Sequence, residues 1–200
     1  MTPLERMSAL GALSVVHESR GPSDVVIATM SAARDWMTLP QHSLDFVYVP
    51  SAMGQATSLG LGISIAQPTR RVIVCNGDGS LLMNLGSLVS IAASGATNLV
   101  ILLFDNGVYE VTGAQPTPGA NRTDFAAIAR GAGFTSVFEF GRLADWEVAA
   151  VETMRSAGPS FVWLRVDASG SPGPRSPGPA AARARQFRGA LAAGHQPPLQ

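Results

Sequence analysis

Five short apolar runs, each followed by a polar or glycine-containing stretch, constrain this chain more than any other feature. They are residues 24–29 (DVVIAT), 46–49 (FVYV), 72–75 (VIVC), 99–104 (LVILLF) and 161–166 (FVWLRV). All are short, rich in β-branched residues and almost unbroken in their hydrophobicity. A strand with apolar side chains on both faces must be covered on both faces, which is the condition of a parallel sheet between layers of helices. A weaker sixth run spans 135–140 (TSVFEF). Helix-like patterns fill the intervals, at 3–18, 32–38, 54–66, 80–94, 124–132 and 142–156. Strands alternating with helices predict an α/β fold, doubly wound, with a mainly parallel sheet and helices on both of its faces. Such sheets bind ligands at the carboxyl ends of their strands, in the loops that lead into helices. Four loops qualify: 30–34 (MSAAR), 50–55 (PSAMGQ), 76–80 (NGDGS) and 105–110 (DNGVYE).

The composition changes after Asp167. Residues 168–200 are rich in Pro, Gly and Ala, with four Arg and no acid. Such a segment has too little apolar surface to offset its ordering entropy. The chain therefore reads as a folded domain over 1–167 and a disordered tail over 168–200, with a short helix around 180–193. All fourteen basic residues are Arg, and all fourteen acids precede residue 168, so the domain carries a net charge of −4. That balance argues against a nucleic-acid binder. The absence of Lys removes Schiff-base chemistry and the phosphate-gripping Lys of a Walker loop. Cys75 stands alone, which excludes an internal disulfide and a multi-Cys metal site, and its apolar run makes it a core residue. The first twenty residues lack the apolar segment of a signal peptide. The run at 99–104 falls well short of the ~18–20 residues of a membrane span. The expected location is the cytoplasm.

Asn76-Gly77-Asp78-Gly79-Ser80 sets a carboxylate between two glycines where a buried strand passes into a helix. The glycines let backbone N–H groups approach a ligand, and a helix start favours phosphate. A carboxylate there repels phosphate unless a divalent cation lies between them, the arrangement of a Mg²⁺ site. A tight turn with an N-capping Asp explains the same residues. Asn106 follows Asp78 by 28 positions, the length of one helix, one strand and two short loops. In a parallel βαβ unit the two loops lie side by side, so Asn106 can offer its side-chain carbonyl to a cation held by Asp78. An ordinary turn residue is the alternative for Asn106.

Residues 77–113 (GDGSLLMNLGSLVSIAASGATNLVILLFDNGVYEVTG) resemble the thiamine-diphosphate motif, in which GDG is followed one βα unit later by a pair of Asn. Here the pair is Asp105-Asn106, and its second position, the metal ligand, is kept. The resemblance implies that Asp78, Asn106 and the backbone carbonyl of Val108 bind Mg²⁺ and that Ser80 faces the diphosphate. Gly77, Gly79 and Tyr109 complete the cofactor-binding set. Residues 47–66 (VYVPSAMGQATSLGLGISIA) resemble the block that precedes the motif. There Met53 would be the apolar wedge that bends the cofactor, and backbone groups of Ser51 and Met53 would bind its aminopyrimidine; periodicity alone makes Met53 a core residue. Within the family the chain resembles the small, pyrophosphate-binding subunit of sulfopyruvate decarboxylase and the C-terminal part of phosphonopyruvate decarboxylase. Residues 105–118 (DNGVYEVTGAQPTP) and 123–134 (TDFAAIARGAGF) support that branch. The loop TMSAARDW departs from the Thr-Gly-…-Ser-Arg-Glu pattern of those enzymes; Ser31 and Arg34 would stand in for the outer diphosphate contacts.

In this family a Glu on a separate pyrimidine-binding domain hydrogen-bonds the aminopyrimidine. The resemblance uses nearly all of the domain, and Glu5 and Glu18 fall on the first amphipathic segment. It thus implies a hetero-oligomer, such as α₂β₂, in which a pyrimidine-binding partner subunit carries the catalytic Glu and this chain alone is inactive. The implied activity is decarboxylation of a small 2-oxo acid. The alternatives are a carboligase subunit that transfers an acyl or two-carbon unit, and a non-catalytic cofactor-binding subunit. A plain nucleotide-binding domain is poorly supported, because no GxGxxG follows the first strand. His17, His42 and His195 lack metal-ligand spacing. Tyr109 and Glu110 would line the substrate entrance, or start a helix packed on the sheet. Arg122 would meet a substrate carboxylate, or pair with Asp124 at the surface. Trp36, Trp146 and Trp163 fit core or interface positions.

Overall fold

In the computed structural model, which describes residues 5–48, 53–168 and 178–193, every apolar run is a strand. In chain order these are β1 (Val25–Thr29), β2 (Asp45–Tyr48), β3 (Val72–Gly77) and β4 (Leu99–Asp105). A two-stranded antiparallel hairpin follows, β5 (Val108–Tyr109) with β6 (Gln115–Pro116), and then β7 (Ser136–Phe140) and β8 (Ser160–Arg165). The main sheet has six parallel strands in the order β2-β1-β3-β4-β8-β7. Its centre pairs Val74 with Ile101 and Leu102 with Val162.

The helices are α1 (Ala9–Ser19), α2 (Met30–Trp36), α3 (Ala56–Ala66), α4 (Asp78–Leu82), α5 (Gly86–Ala93), α6 (Phe125–Gly131), α7 (Leu143–Arg155) and α8 (Ala180–Ala193). They form two layers. On one face α1, α2 and α7 cover Val26, Ala28, Ile73, Cys75 and Leu102; on the other α3, α5, α6 and α8 cover Val25, Ile27, Val74, Ile101 and Leu103. Neighbouring residues of one apolar run thus enter different cores, which is why the runs are unbroken rather than alternating. Trp36 and Trp146 are fully buried in the first core. The Trp146 Nε1–H donates to Ala12 O at 3.1 Å, which ties α7 to α1. Cys75 is wholly buried, and burial pushes its thiol pKa up.

Two elements differ from the sequence expectation, and a third is present as expected. The first helix starts at Ala9, because Met7 ahead of it forms a parallel bridge to Val166 beyond β8. The helix expected over 80–94 is two helices, α4 and α5. Between them Asn84 turns its amide to Gly54 O at 2.9 Å, and its own N–H closes a tight turn onto Leu81 O; a short polar side chain that bonds elsewhere breaks a helix readily. In the stretch read as a disordered tail, the short helix around 180–193 is present as α8. It packs on the edge strand β2, with Phe187 only 8% exposed and stacked on Phe46 at 4.9 Å between ring centres.

The strand order places β1 between β2 and β3. The chain leaves β1 through α2 on one face and leaves β3 through α4 on the other. A crevice forms at such a switch point, outside the carboxyl ends of the two strands.

Candidate functional site

One pocket opens at that crevice, where β1, β3 and β4 end. Ser31, Met53, Gly77, Asp78, Gly79, Ser80, Asn106, Val108 and Tyr109 all line it, so the structure brings together the predicted residues that it describes. Ser51 lies outside the described residues. Leu13, Phe104, Val111 and Val166 give the pocket an apolar wall.

Gly77 ends β3 and is the N-cap of α4, so Asp78 is the first helical residue. Asp78 is 2% exposed, and its Oδ2 accepts a 2.7 Å hydrogen bond from the Thr117 hydroxyl. Burial pushes the Asp78 carboxyl from its ordinary range up to about 6, against the downward pull of the Thr117 bond; the Asp105 carboxylate adds a smaller upward push. Glycine is required at position 79. A Cβ there would lie 2.4 Å from Cε1 of Tyr109, whose ring packs on the helix start. Ser80 lines the pocket, and its Oγ accepts the Gly54 N–H at 3.0 Å. With Asn84 on Gly54 O, both backbone groups of Gly54 are held by the α4–α5 segment. Gly54 has φ +83°, a conformation in which L side chains are strained. These bonds set Met53 against the pocket.

After β4, the amide of Asn106 is held at both ends. Its Oδ1 accepts the Val108 N–H at 3.0 Å, and its Nδ2 donates to Glu110 Oε2 at 3.1 Å. Glu110, in the 3-10 turn Glu110–Thr112, also pairs with Arg34 at 3.6 Å, and Arg34 donates to Ser31 Oγ at 3.3 Å. A polar relay therefore joins α2 to the loop after β4. Asp105 has a different task. Its Oδ2 accepts from Trp163 Nε1 at 2.9 Å and its Oδ1 from the Gly107 N–H at 3.1 Å, so it braces the loop outside the pocket.

The remaining candidates lie elsewhere. His17 meets Pro40 O at 2.8 Å and packs beside Trp36. His42 lines a groove next to α8, and Arg122 lines a separate pocket with Arg6 and Arg165. His195 is outside the described residues. Sequence reasoning missed three contributors. Thr117 lies 39 positions from Asp78, beyond the reach of any local pattern. Asp35 is buried on α2 and lines the pocket; its position inside a helix pattern carried no signal. Met30 lines the pocket with φ +53°, a conformation that favours Gly, in the loop that departs from the Thr-Gly pattern. That mismatch is a signal that could have been read. Among the described residues no three His, Cys, Asp or Glu side chains are grouped to hold a metal, so a cation here would need amide or backbone oxygens as well.

Comparison with known proteins decides the family. Residues 24–164 match the model of the thiamine pyrophosphate enzyme C-terminal TPP binding domain. The chain belongs to that family. It is 36% identical over 163 residues to the sulfopyruvate decarboxylase subunit beta of Methanothermobacter thermautotrophicus, covering 82% of each chain. It is 39% identical over 142 residues to the phosphonopyruvate decarboxylase of Streptomyces hygroscopicus, covering 71% of this chain and 35% of the relative. Against the latter protein it thus spans about a third of the full length. A solved thiamine diphosphate-dependent 4-hydroxybenzoylformate decarboxylase from Rhodococcus jostii superposes with a TM-score of 0.66 at 18% identity, over 88% of this chain and 34% of that one. The last likeness speaks for the fold alone, a parallel sheet between layers of helices. Among the described residues no helix is long and apolar enough to cross a membrane.

Proposed function

We propose that this chain is the diphosphate- and Mg²⁺-binding subunit of a two-component, thiamine-diphosphate-dependent 2-oxo acid decarboxylase, completed by a separate pyrimidine-binding subunit that carries the catalytic Glu. The observation that carries the reading is the pairing, in one pocket, of a buried Asp78 at the head of α4 with the amide of Asn106 after β4. The residues present fit such a group on three counts. A buried carboxylate whose titration is pushed up by desolvation gains from a nearby cation. Carboxylate, amide and backbone carbonyl oxygens are the donors that a hard divalent ion takes. At Gly77, which lines the pocket, nothing lies within 4 Å of where a Cβ would be, so the backbone there is open to a ligand.

In this reading Asp78, Asn106 and the Val108 carbonyl hold the cation. Ser31, Gly77, Gly79, Ser80 and Tyr109 bind the diphosphate, Ser51 and Met53 bind the aminopyrimidine, and Met53 supports the cofactor's shape. Thiamine diphosphate, when bound, supplies an electron sink for the carbanion left when CO₂ departs from a 2-oxo acid. The apolar wall of Leu13, Phe104 and Val166 excludes water from the inner part of the pocket. The names of the Methanothermobacter and Streptomyces relatives support a 2-oxo acid as substrate, and the subunit name of the former supports a hetero-oligomer such as α₂β₂.

Calorimetry of the full chain with thiamine diphosphate and Mg²⁺, alone and with the partner subunit, tests the reading. Mg²⁺-dependent binding that Asp78→Ala abolishes is the expected result, with CO₂ release from a 2-oxo acid only after the partner is added. No Mg²⁺-dependent binding in either arm overturns it. A product joined to an added acceptor aldehyde, in place of the free aldehyde, would make the complex a carboligase.

A further inference from the structure

We propose that the β5–β6 hairpin is a clamp that orients both side-chain ligands of the cation site, with Thr117 positioning Asp78 and Glu110 positioning Asn106. The inference rests on the function proposed above and concerns how that site is kept ready.

The hairpin and its flanks reach the site three times. Tyr109 lays its ring on Gly79, Glu110 takes the Asn106 amide, and Thr117 takes the Asp78 carboxylate. The Thr117 N–H also donates to Gly107 O at 2.9 Å, so Thr117 is fixed to the same loop that carries Asn106. The two ligand-bearing loops, from β3 and β4, are thereby joined through one residue.

Each bond selects one orientation. Thr117 and Asp78 are both buried, and the 2.7 Å bond to Oδ2, together with the backbone N–H groups of Asp78 and Gly79 at the helix start, fixes the orientation of the carboxylate at the pocket wall. The Asn106 amide has two ends of opposite polarity, and a flip would aim its N–H donors at the cation. Glu110 prevents this: its carboxylate takes the Nδ2–H, so the oxygen is held on the other side. There the Val108 N–H uses one of the two lone pairs of Oδ1 and the second is left for a ligand. Glu110 is itself restrained. Its side chain is 9% exposed, and Arg34 draws it toward α2 while bonding Ser31. The clamp therefore reaches from β1 through α2 to the end of β4. Groups that orient metal ligands in this way set metal affinity by about 10–100-fold.

The two residues act through Asp78 and Asn106, so they are positioning residues, and the test needs a readout beyond stability. The Mg²⁺ concentration that half-saturates thiamine diphosphate binding is measured on the full chain, alone and with its partner, alongside the melting temperature of the metal-free chain. Thr117→Val keeps the shape and removes the hydroxyl; it is expected to raise half-saturating Mg²⁺ about 10-fold. Thr117→Ser restores the donor and is expected to stay within about 3-fold of wild type. Glu110→Ala is expected to raise the value about 10-fold, and Glu110→Gln, whose amide oxygen still accepts the Nδ2–H, to recover most of it. Should either large variant fail to fold, the Ser and Gln variants carry the comparison with wild type. Unchanged Mg²⁺ requirements in Thr117→Val and Glu110→Ala overturn the clamp, as do Ser and Gln variants as impaired as the severe ones. A wild-type chain with no Mg²⁺-dependent binding overturns the proposed function instead, so the two failures are distinct.

Discussion

Asp78 shows how a residue that is costly to the fold can sit at the centre of the proposed cation site. Its carboxyl is buried and titrates near 6, above its ordinary value. A group whose folded pKa is raised costs stability wherever it is ionised in the fold, so the metal-free chain loses stability as pH rises from about 4 through 6. Asp78→Asn removes that cost. It should stabilise the metal-free chain by roughly 1–3 kcal/mol at pH 8 and by nothing near pH 3, where the carboxyl is protonated folded or unfolded. Urea unfolding at the two pH values checks this; an Asn variant less stable than wild type at pH 8 contradicts it. Met30 is a second costly residue. At φ +53° a residue with a Cβ carries roughly 1–2 kcal/mol of backbone strain. Met30→Gly should therefore be more stable than Met30→Ala by about 1 kcal/mol, the reverse of the usual order at a helix position. The thermal midpoints of the two variants measure the difference, and Ala above Gly refutes the strain.

At the scale of elements, the strands were legible in the sequence because each sits between two cores and stays apolar along its length. The last strand and the strand that leads into the GDG turn fell where the runs predict. The helix boundaries were less legible, since what moves them is tertiary. Met7 leaves the first helix pattern for a bridge to Val166, and Asn84 breaks the α4–α5 run because Gly54, 30 positions away, offers it a carbonyl. The site was legible where the residues that line it lie in the loops after strands: Asp78, Asn106 and Met53 were all read. The hydrogen bonds of Thr117 to Asp78 and of Glu110 to Asn106 were not read, because hydrogen bonds to a carboxylate or an amide leave no periodic trace. Asp105 shows the same limit. It departs from the family's Asn pair, and only its bonds to Trp163 and the Gly107 N–H explain why an acid is held there. The helix α8 depends on few apolar contacts, with Phe187 as its one buried side chain. Phe187→Ala should cost about 2–4 kcal/mol of local stability. Amide exchange over 180–193 should then approach the unprotected rate, while exchange in β4 stays as in wild type. Unchanged protection of α8 would show that other contacts hold it.

For the whole molecule, the sheet order puts three loop systems around one crevice, and the two cores beneath pack both faces of the strands that end there. The apparent neutrality of the chain conceals an acidic domain of net charge −4 and an Arg-bearing C-terminal stretch, part of which returns as α8 to cover the edge strand β2. The stretch that matches the thiamine pyrophosphate enzyme family, residues 24–164, spans the GDG turn, the Asn after β4 and most of the residues around the switch-point pocket. The central claim is that this pocket holds thiamine diphosphate through a cation on Asp78 and Asn106. Calorimetric titration of thiamine diphosphate into the full chain and its partner, with Mg²⁺ and with chelator, tests it most directly. Saturable binding that requires Mg²⁺ and disappears in Asp78→Ala is the predicted result. Binding of equal strength with chelator, or in Asp78→Ala, would contradict it.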